Sequence, residues 1–341
     1  MRFFKYFSII IFLVVVALIW DNKQSDIYQL QGKIFGTYYN IKIRNPHKTA
    51  DLQAIIDKQF SLINLQMSVF NKDSEINKLN NAKKNEKIAT SPELISIIQT
   101  SKEISKQTQN AFDITIGELV NLWGFGPDNQ KHIPSKKQIE SKLKHTGSNK
   151  IIIFAPQYVY KTDTDTKINL SAIAKGYAVD LIAQTLKKEG FSDFLVDIGG
   201  EVYAAGNRNI QEQGWNIGIA EPSPNGHKNL MTMRIKDLSI ATSGNYNNFY
   251  YDNEGKKIAH TIDPKTGYPV EHNLVSATVL HTSCMYADAY ATALMVMGEK
   301  KGLEFANKHN LVAIMFTKDI YGKINTIYSQ QGKLLTGVEN E

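Results

Sequence analysis

The feature that most constrains the fold is the way helical and extended patterns are mixed along the chain. Apolar residues recur at helical spacing in residues 51–65, and residues 171–186 carry a second helical pattern. Residues 33–43 are rich in strand-forming side chains, and an apolar run at 194–198 ends at two glycines. These segments do not alternate regularly, as a doubly wound parallel sheet requires. The pattern predicts an α+β fold, a single domain of mixed helices and antiparallel sheet.

The N-terminus has the pattern of an export signal. Arg2 and Lys5 precede an apolar run at residues 7–20 that contains no charged side chain. This run is shorter than the ~20 residues that usually cross a bilayer, and it lacks a small-x-small cleavage site and a lipobox cysteine. We expect an uncleaved membrane anchor, with a cleaved signal peptide or a buried core helix as alternatives. The positive flank predicts that the rest of the chain faces the periplasm, on the outer side of the cytoplasmic membrane.

The expected domain boundaries follow from these patterns. Residues 1–20 form the signal peptide or anchor, the polar residues 21–31 form a linker, and residues 32–335 form one folded domain. A chain of 341 residues is long enough to bury a large core.

Charge and cysteine content exclude several classes of protein. The formal net charge is +6, but the lysines are scattered and form no stripe with interleaved aromatic side chains, which argues against nucleic-acid binding. Cys284 is the only cysteine, so an intramolecular disulfide and a cysteine-ligated zinc site are excluded. Its apolar neighbours predict a buried, inert thiol.

One candidate metal site lies in residues 286–293. Asp288 and Thr292 are four residues apart, so a helix would place both on one face. A carboxylate and a hydroxyl side by side suit a hard cation such as Mg²⁺ or Ca²⁺. The alternative is that Asp288 caps or pairs locally while Thr292 packs.

Three further clusters are candidates for ligand contact. Small residues at the helix start in residues 169–180 allow a phosphate to approach free N–H groups, with Lys175 adding a positive charge, although a capped helix with a solvated lysine is the alternative. The strand that ends at Gly199-Gly200 allows a ligand to lie against the backbone. His260 precedes the turn at Asp263-Pro264 and is a candidate for proton transfer, although a lone histidine is usually structural.

Taken together, these motifs resemble the signature series of the ApbE-like FAD:protein FMN transferases. The resemblance covers roughly residues 30 to 310, with the motifs in the same order. The matching segments are residues 36–37, 74–80, 112–117, 119–127, 169–180, 241–246, 260–267 and 287–292. Two departures are visible, because Asn169 stands where the family often has aspartate and the N-terminal cysteine of lipidated members is missing.

The resemblance implies a T-fold-like catalytic domain that moves FMN from FAD to a threonine or serine hydroxyl of a target protein and releases AMP. It implies that the Ala172 carbonyl and the side chains of Asp288 and Thr292 hold Mg²⁺, with Mn²⁺ as a possible substitute. It also implies that the FAD site is lined by Phe35, Ala111, Phe112, Asp113, Lys175 and Ile262.

The resemblance leaves the role of His260 and the acceptor open. His260 is the candidate general acid/base together with the catalytic Asp288, or it orients phosphate, or it makes only a structural bond near the Asp263-Pro264 turn. The expected acceptor is an exported flavoprotein, such as a membrane electron-transfer subunit. The rival functions are an FAD pyrophosphatase that yields FMN and AMP, a non-catalytic exported FAD-binding protein, and a structural envelope protein.

Overall fold

The computed structural model describes residues 27–154, 156–209, 213–222, 229–246 and 248–337. The expected signal or anchor at residues 1–20 lies outside the described residues. Within the described ranges, no helix is both long and apolar enough to span a bilayer.

Helices and strands are interleaved throughout the described chain. The helices are α1 Leu52–Met67, α2 Glu75–Asn81, α3 Pro92–Gln107, α4 Gly117–Leu122, α5 Lys136–Leu143, α6 Ala174–Lys188, α7 Cys284–Lys308 and α8 Gln330–Thr336, with a 3₁₀ turn at Ser148–Lys150. The strands are β1 Ile27–Ile34, β2 Thr37–Arg44, β3 Ile88–Ala89, β4 Ile151–Phe154, β5 Tyr158–Lys161, β6 Phe194–Ile198, β7 Glu201–Ala205, β8 Trp215–Ala220, β9 Asn229–Ile235, β10 Leu238–Gly244, β11 Phe249–Tyr251, β12 Lys257–Ala259, β13 Leu274–His281, β14 Val312–Lys318 and β15 Ile324–Tyr328.

The central element is an eight-stranded antiparallel sheet in the order β1-β2-β6-β7-β10-β13-β14-β15. Smaller antiparallel sheets are formed by β3-β5-β4, by β8-β9 and by β11-β12. The predicted mixture of helices with antiparallel sheet is therefore confirmed.

The predicted linker at residues 21–31 is wrong over residues 27–31. These residues belong to β1, where Ile27 pairs with Arg44 and Ile34 pairs with Thr37. Leu30 faces the core while the polar side chains beside it face outward. This segment alternates with the period of a strand, so its polar residues mark the exposed face of a strand and not a linker.

The strand register gathers several turns at one end of the main sheet, which we call the glycine-turn end. Ile34 pairs with Thr37 across the Phe35–Gly36 turn, and Ile198 pairs with Glu201 across the Gly199–Gly200 turn. Gly244, at the end of β10, pairs with Ser276 near the start of β13. Glycines at such turns allow ligands to approach the backbone closely.

Helices α6 and α7 pack together on the main sheet and bury their small residues at the contact. A Cβ on Gly176 would lie 2.3 Å from the Cys284 carbonyl oxygen and 2.8 Å from the Asp288 Cβ. Only glycine therefore allows this approach of the two helices. Cys284 is fully buried, as predicted from its apolar neighbours.

The observed start of α6 differs slightly from the predicted one, and α7 contains a break. Helix α6 begins at Ala174 and not at residue 171, because Ile173 has non-helical dihedral angles (φ −149°, ψ −23°). Ser283 caps α7, because its hydroxyl accepts from the Tyr286 N–H. Gly298 interrupts α7 (φ 74°, ψ 178°), but the helix resumes and continues to Lys308.

Candidate active site

A cleft of about 720 Å³ opens at the glycine-turn end of the main sheet. Its walls come from β2, β6, β8 and β10, and from the segment that leads into α6. Its lining is mixed, since apolar side chains such as Val202, Ile217 and Ile240 alternate with charged and polar groups. This size and mixture are typical of small-molecule sites.

The structure brings most of the predicted site residues together in this cleft. The residues that line it are Ala172, Asp288, Thr292, Asp113, Lys175, His260 and Ile262. They come from four separate segments of the chain, between residue 113 and residue 292, so their convergence is a result of the tertiary fold.

Asp288 is the most deeply buried acid of the cleft, with 3% of the residue exposed. Its Oδ2 accepts a hydrogen bond of 3.0 Å from the Gly176 N–H. Burial raises the pKa of the Asp288 carboxyl, and the Lys175 ammonium and the Gly176 N–H oppose that rise. One turn further along α7, the hydroxyls of Thr292 and Ser243 lie 3.0 Å apart, so carboxylate and hydroxyl oxygens share one wall of the cleft.

The groups at this wall fit a hard divalent cation. A carboxylate from Asp288, a hydroxyl from Thr292 and the main chain at Ala172 are the oxygen donors that Mg²⁺ and Mn²⁺ accept. Nitrogen and sulfur ligands are not part of the predicted set, which argues against zinc.

A second group of metal-ligating side chains lies elsewhere. The candidate ligand atoms of His145, Asp163 and Asp165 lie within 4.8 Å of one another. Asp163 Oδ2 already accepts from Lys150 Nζ at 3.0 Å and lies 2.8 Å from His145 Nδ1. This carboxylate is occupied by two side-chain partners and does not line the cleft, so the group is separate from the cation site predicted around Asp288.

Lys175 lines the cleft and is paired with a buried acid behind it. Its Nζ lies 2.5 Å from Glu201 Oε1, and the Glu201 side chain is 2% exposed. The other carboxylate oxygen, Oε2, is buried without a hydrogen-bond partner among the described residues. Burial raises the pKa of Glu201, and the adjacent Lys175 ammonium opposes that rise by favouring the carboxylate. The negative charges of Glu201 and Asp288 in turn outweigh the effect of burial on Lys175 and raise its pKa, so Lys175 stays protonated and offers a cation to an anionic ligand.

His260 is held by the backbone of the neighbouring strand. Its Nδ1 lies 3.1 Å from the Asn248 carbonyl oxygen, and its own N–H donates to the same oxygen at 3.2 Å. A donating Nδ1–H leaves Nε2 with a free lone pair. Burial lowers the pKa of His260, and Lys175 and Lys257 lower it further, while the Asn248 carbonyl opposes the shift. Neutral imidazole is therefore the form present near neutral pH.

Asp113 is fixed by the residue two positions later. Its Oδ1 accepts from the Thr115 N–H at 2.8 Å and from the Thr115 hydroxyl at 2.6 Å. Burial raises the pKa of Asp113, and these hydrogen bonds oppose that rise. The carboxyl is thus oriented at the cleft edge, where it can accept from donors of a ligand.

Three predicted FAD contacts are not among the residues that line the cleft. Phe112 is 2% exposed and packs in the main core. Ala111 lies beside a different depression, near the end of α3. Phe35 is half-buried at the β1–β2 turn with a positive φ of 51°, and its ring packs edge-on against Phe60. Their contact with a ligand remains a prediction.

Sequence reasoning missed several residues of the cleft. Phe70 is 67% exposed although it is aromatic, and it lines the cleft with Tyr38 and Tyr246. Residues 216–220 of β8 also contribute a wall. The sequence could not place Phe70 in the cleft, because only its exposure in the folded protein distinguishes this aromatic side chain from a core residue.

Two motif residues act structurally. Asp180 accepts from the Ser283 hydroxyl at 2.6 Å and from the Cys284 N–H at 2.8 Å, so it caps α7 from the neighbouring helix. Asn80 makes two hydrogen bonds with the main chain of Ile168, at 2.9 and 2.7 Å, and so holds the strand-like segment that leads to the cleft.

The fold and the cleft define an enzyme site for a phosphate-bearing ligand. Along one cleft lie the side-chain oxygens of Asp288 and Thr292, the partly exposed Lys175 with its buried partner, and a neutral His260. The chain belongs to the ApbE family, whose model matches residues 35–316. It is 36% identical to the FAD:protein FMN transferase of Vibrio cholerae over 301 residues, which cover 87% of this chain and 89% of that protein. The Escherichia coli K12 protein of the same description is 35% identical over 303 residues, covering 86% and 85% of the two chains.

Solved structures agree with the sequence comparison. The flavin transferase ApbE from Vibrio cholerae superimposes with a TM-score of 0.84 at 33% identity, covering 92% of this chain and all of that one. The apo flavinyl transferase ApbE of Pseudomonas stutzeri gives a TM-score of 0.81 at 27% identity, covering 92% and 98% of the two chains.

Proposed function

We propose that this enzyme transfers FMN from FAD to a threonine or serine hydroxyl of an exported acceptor protein and releases AMP, with Mg²⁺ as the cofactor and Mn²⁺ as an alternative ion. The observation that carries the proposal is the convergence of Ala172, Asp288, Thr292 and Lys175 on one cleft. Two kinds of positive charge, a metal ion and an ammonium, would then face the diphosphate of FAD.

The reaction replaces the phosphoanhydride bond of FAD by a phosphate ester bond to the acceptor. The acceptor hydroxyl oxygen attacks the phosphorus on the FMN side, a new P–O bond forms, and the bond to the AMP phosphate breaks. His260 Nε2 takes the hydroxyl proton, because Nδ1 is occupied by the Asn248 carbonyl. Lys175 binds a phosphate oxygen and balances the charge that develops on the leaving AMP. When bound, the divalent ion supplies Lewis-acid polarisation of the phosphate oxygens.

The remaining walls suit the two ring systems of FAD. Apolar side chains from β8 and β10, such as Ile217, Ile219 and Ile240, can contact a flat ring. The exposed ring of Phe70 and the carboxyl of Asp113 lie at the cleft edge, where a heterocycle or a ribose offers stacking surface and hydrogen-bond donors.

An FAD pyrophosphatase is the second candidate, favoured by the openness of the cleft to water. If water replaces the protein hydroxyl, the same groups release free FMN and AMP. Incubation of the enzyme with FAD, Mg²⁺ and a purified acceptor, followed by intact-mass analysis of the acceptor, separates the two reactions. A covalent FMN adduct is expected, and free FMN without an adduct would contradict the transferase.

The same experiment tests the metal and distinguishes enzyme from flavin store. EDTA is expected to stop transfer, and Mg²⁺ or Mn²⁺ added in excess is expected to restore it. Tight FAD binding without turnover in excess Mg²⁺ would instead support a non-catalytic FAD-binding protein.

We also propose that the chain is exported and faces the periplasm, tethered to the membrane through residues 1–20. The sequence support is the apolar run at residues 7–20 behind Arg2 and Lys5. Fractionation of cells that express the full chain, with protease added to spheroplasts, tests this directly. A membrane-bound, protease-accessible protein is expected, and a protected protein in the cytoplasmic fraction would overturn it.

A further inference from the structure

Two β-hairpins of this protein have turns of the same conformation but carry very different residues at their tips. The turn between β11 and β12 reads Asp252-Asn253-Glu254-Gly255-Lys256, and the turn between β14 and β15 reads Asp319-Ile320-Tyr321-Gly322-Lys323. In both, the aspartate Oδ1 accepts from the N–H groups two and four residues later, at distances of 2.8–2.9 Å. In both, the glycine has a positive φ, of 79° and 85°.

This pair shows that the turn does not need apolar tip residues. The hydrogen bonds are made by the aspartate, the glycine and the backbone, and the first turn carries Asn253 and Glu254 without change of geometry. Ile320 and Tyr321 are each 89% exposed, more than any other large apolar side chain among the described residues. Two neighbouring apolar side chains so fully in water contribute nothing to the fold and point to a contact with another molecule.

The register places this tip beside the cleft. Gly244 of the cleft pairs with Ser276, and Ser276 pairs with Phe316, so these three residues lie at one level of the sheet. Phe316 is therefore about 10 Å to the side of Gly244, because strands lie ~4.8 Å apart. Ile320 is four residues further along the same direction, about 13 Å at ~3.3 Å per residue. The tip thus stands within roughly 20 Å of the cleft, at the glycine-turn end.

The neighbouring hairpin connects the tip to the reacting groups. Strands β11 and β12 are flanked directly by Asn248 and His260 of the cleft. Burial lowers the pKa of Lys257 on β12, and the nearby ammonium of Lys318 lowers it further, as expected for adjacent hairpins. A protein that presents a hydroxyl to the cleft therefore has its surface within roughly 20 Å of Ile320 and Tyr321.

The position of the N-terminus distinguishes a protein partner from the membrane. Ile27 pairs with Arg44 at the end of β1 opposite the Phe35–Gly36 turn. This eight-residue strand spans about 26 Å, so Ile27, the first described residue, lies at the end of the sheet away from the tip. A tether at that end favours a tip that faces away from the bilayer.

We propose that the tip of the β14–β15 hairpin docks the acceptor protein, which receives Ile320 and Tyr321 in an apolar patch bordered by carboxylates that face Lys318 and Lys323. The inference rests on the proposed transferase function, because a protein acceptor must bind around the cleft mouth. It assigns to the enzyme a recognition surface separate from the reacting groups, so that a whole acceptor binds better than its isolated modified segment.

The test replaces the two tip residues by the polar residues at the same positions of the β11–β12 turn. The double variant Ile320→Asn/Tyr321→Glu copies the residues of the first turn, and Asn253→Ala/Glu254→Ala is the matched control. The probes are a detergent-solubilised membrane electron-transfer subunit that wild-type enzyme labels with FMN, and a short synthetic peptide that contains only its modified threonine segment. We expect the tip variant to raise KM for the subunit at least about tenfold, with transfer to the peptide and to water unchanged and with the control like wild type.

Each other outcome overturns a defined part of the inference. Equal KM values for the tip variant and wild type on the solubilised subunit would overturn the docking role while leaving the transferase intact. A defect seen only when the subunit is embedded in a bilayer would assign the tip to the lipid surface instead. If wild-type enzyme labels neither probe nor any other protein, the proposed function itself fails.

Discussion

Lys175 and Glu201 form an ion pair at the base of the cleft, with Nζ 2.5 Å from Oε1 and the glutamate side chain only 2% exposed. The lysine faces the cleft, whereas the glutamate lies behind it next to the Gly199–Gly200 turn. Because the other carboxylate oxygen has no hydrogen-bond partner among the described residues, Glu201 interacts with the site mainly through this one ammonium. Glu201 is thus a positioning residue for the lysine that would meet a diphosphate.

Replacing Glu201 tests this relationship. Glu201→Gln keeps the size of the side chain but leaves the ammonium of Lys175 without its counter-charge. We expect the free energy of unfolding to fall by about 1–3 kcal/mol, less than for a fully buried pair because Lys175 is one-third exposed. KM for FAD should rise about tenfold with a smaller change in kcat. The double variant Lys175→Met/Glu201→Gln should recover stability but not activity. Equal stability of wild type, the single variant and the double variant would contradict the pairing.

The contact between α6 and α7 depends on Gly176. A Cβ at this position would meet the Cys284 carbonyl at 2.3 Å, so Gly176→Ala must move α7 and with it Asp288. We expect a loss of about 1–3 kcal/mol in unfolding free energy, measured by urea denaturation, together with weaker Mg²⁺ binding.

Gly302, on the same helix as Asp288, is the matched control for this substitution. Its added Cβ would meet only ordinary contacts of 3.4–3.5 Å, so Gly302→Ala should be neutral or stabilise by up to about 1 kcal/mol. If Gly176→Ala and Gly302→Ala change the unfolding free energy equally, the close spacing of α6 and α7 at Gly176 does not account for the loss of stability.

Asp288 is expected to be essential because it combines a structural bond with the proposed ion contact. Asp288→Asn keeps an oxygen that can accept from the Gly176 N–H but loses the negative charge. We expect transfer to fall at least about 100-fold, the size usually seen when a key electrostatic group is removed, with circular dichroism and FAD binding largely retained. Asp288→Ala should also abolish transfer and leave the fold largely intact. An Asp288→Asn enzyme that labels its acceptor at the normal rate in Mg²⁺ would contradict the assigned cation site.

The pH dependence of the transfer activity should follow the protonation of His260. Burial, Lys175 and Lys257 lower the pKa of His260 below its ordinary value of 6.5, so the neutral form that accepts a proton persists to lower pH. Activity should therefore fall on the acid side only below pH 6.5. The pKa of His260 is lower in the folded protein than in the unfolded chain. The protein therefore also loses stability as the pH falls from the unfolded pKa towards the folded pKa.

Lys257→Ala is the variant that tests this assignment. Removal of this neighbouring cation should raise the pKa of His260 and shift the acid limb of the kcat/KM profile to higher pH. The variant His260→Gln should remove the acid limb, and it should slow transfer more than it weakens FAD binding. An acid limb that stays unchanged in His260→Gln would assign the titration to another group.

The sequence predicted local features well because their causes are local. The strand end at Gly199-Gly200 follows from the positive φ that glycine permits. Asp288 and Thr292 share a helix face because of the helical period, and both line the cleft. The predicted linker at 27–31 was wrong because the exposed side of an edge strand is as polar as a linker.

What the sequence by itself determined was the set of chemical groups and the family to which the motifs belong. The tertiary structure alone decided which groups meet, since Glu201 reaches Lys175, and Asp180 reaches the start of α7, only through packing between distant segments. It also decided that the Ile320–Tyr321 tip stands beside the cleft, because strand register depends on pairing across the whole sheet. Contacts of this kind depend on the burial of the complete core, and no local spacing encodes them.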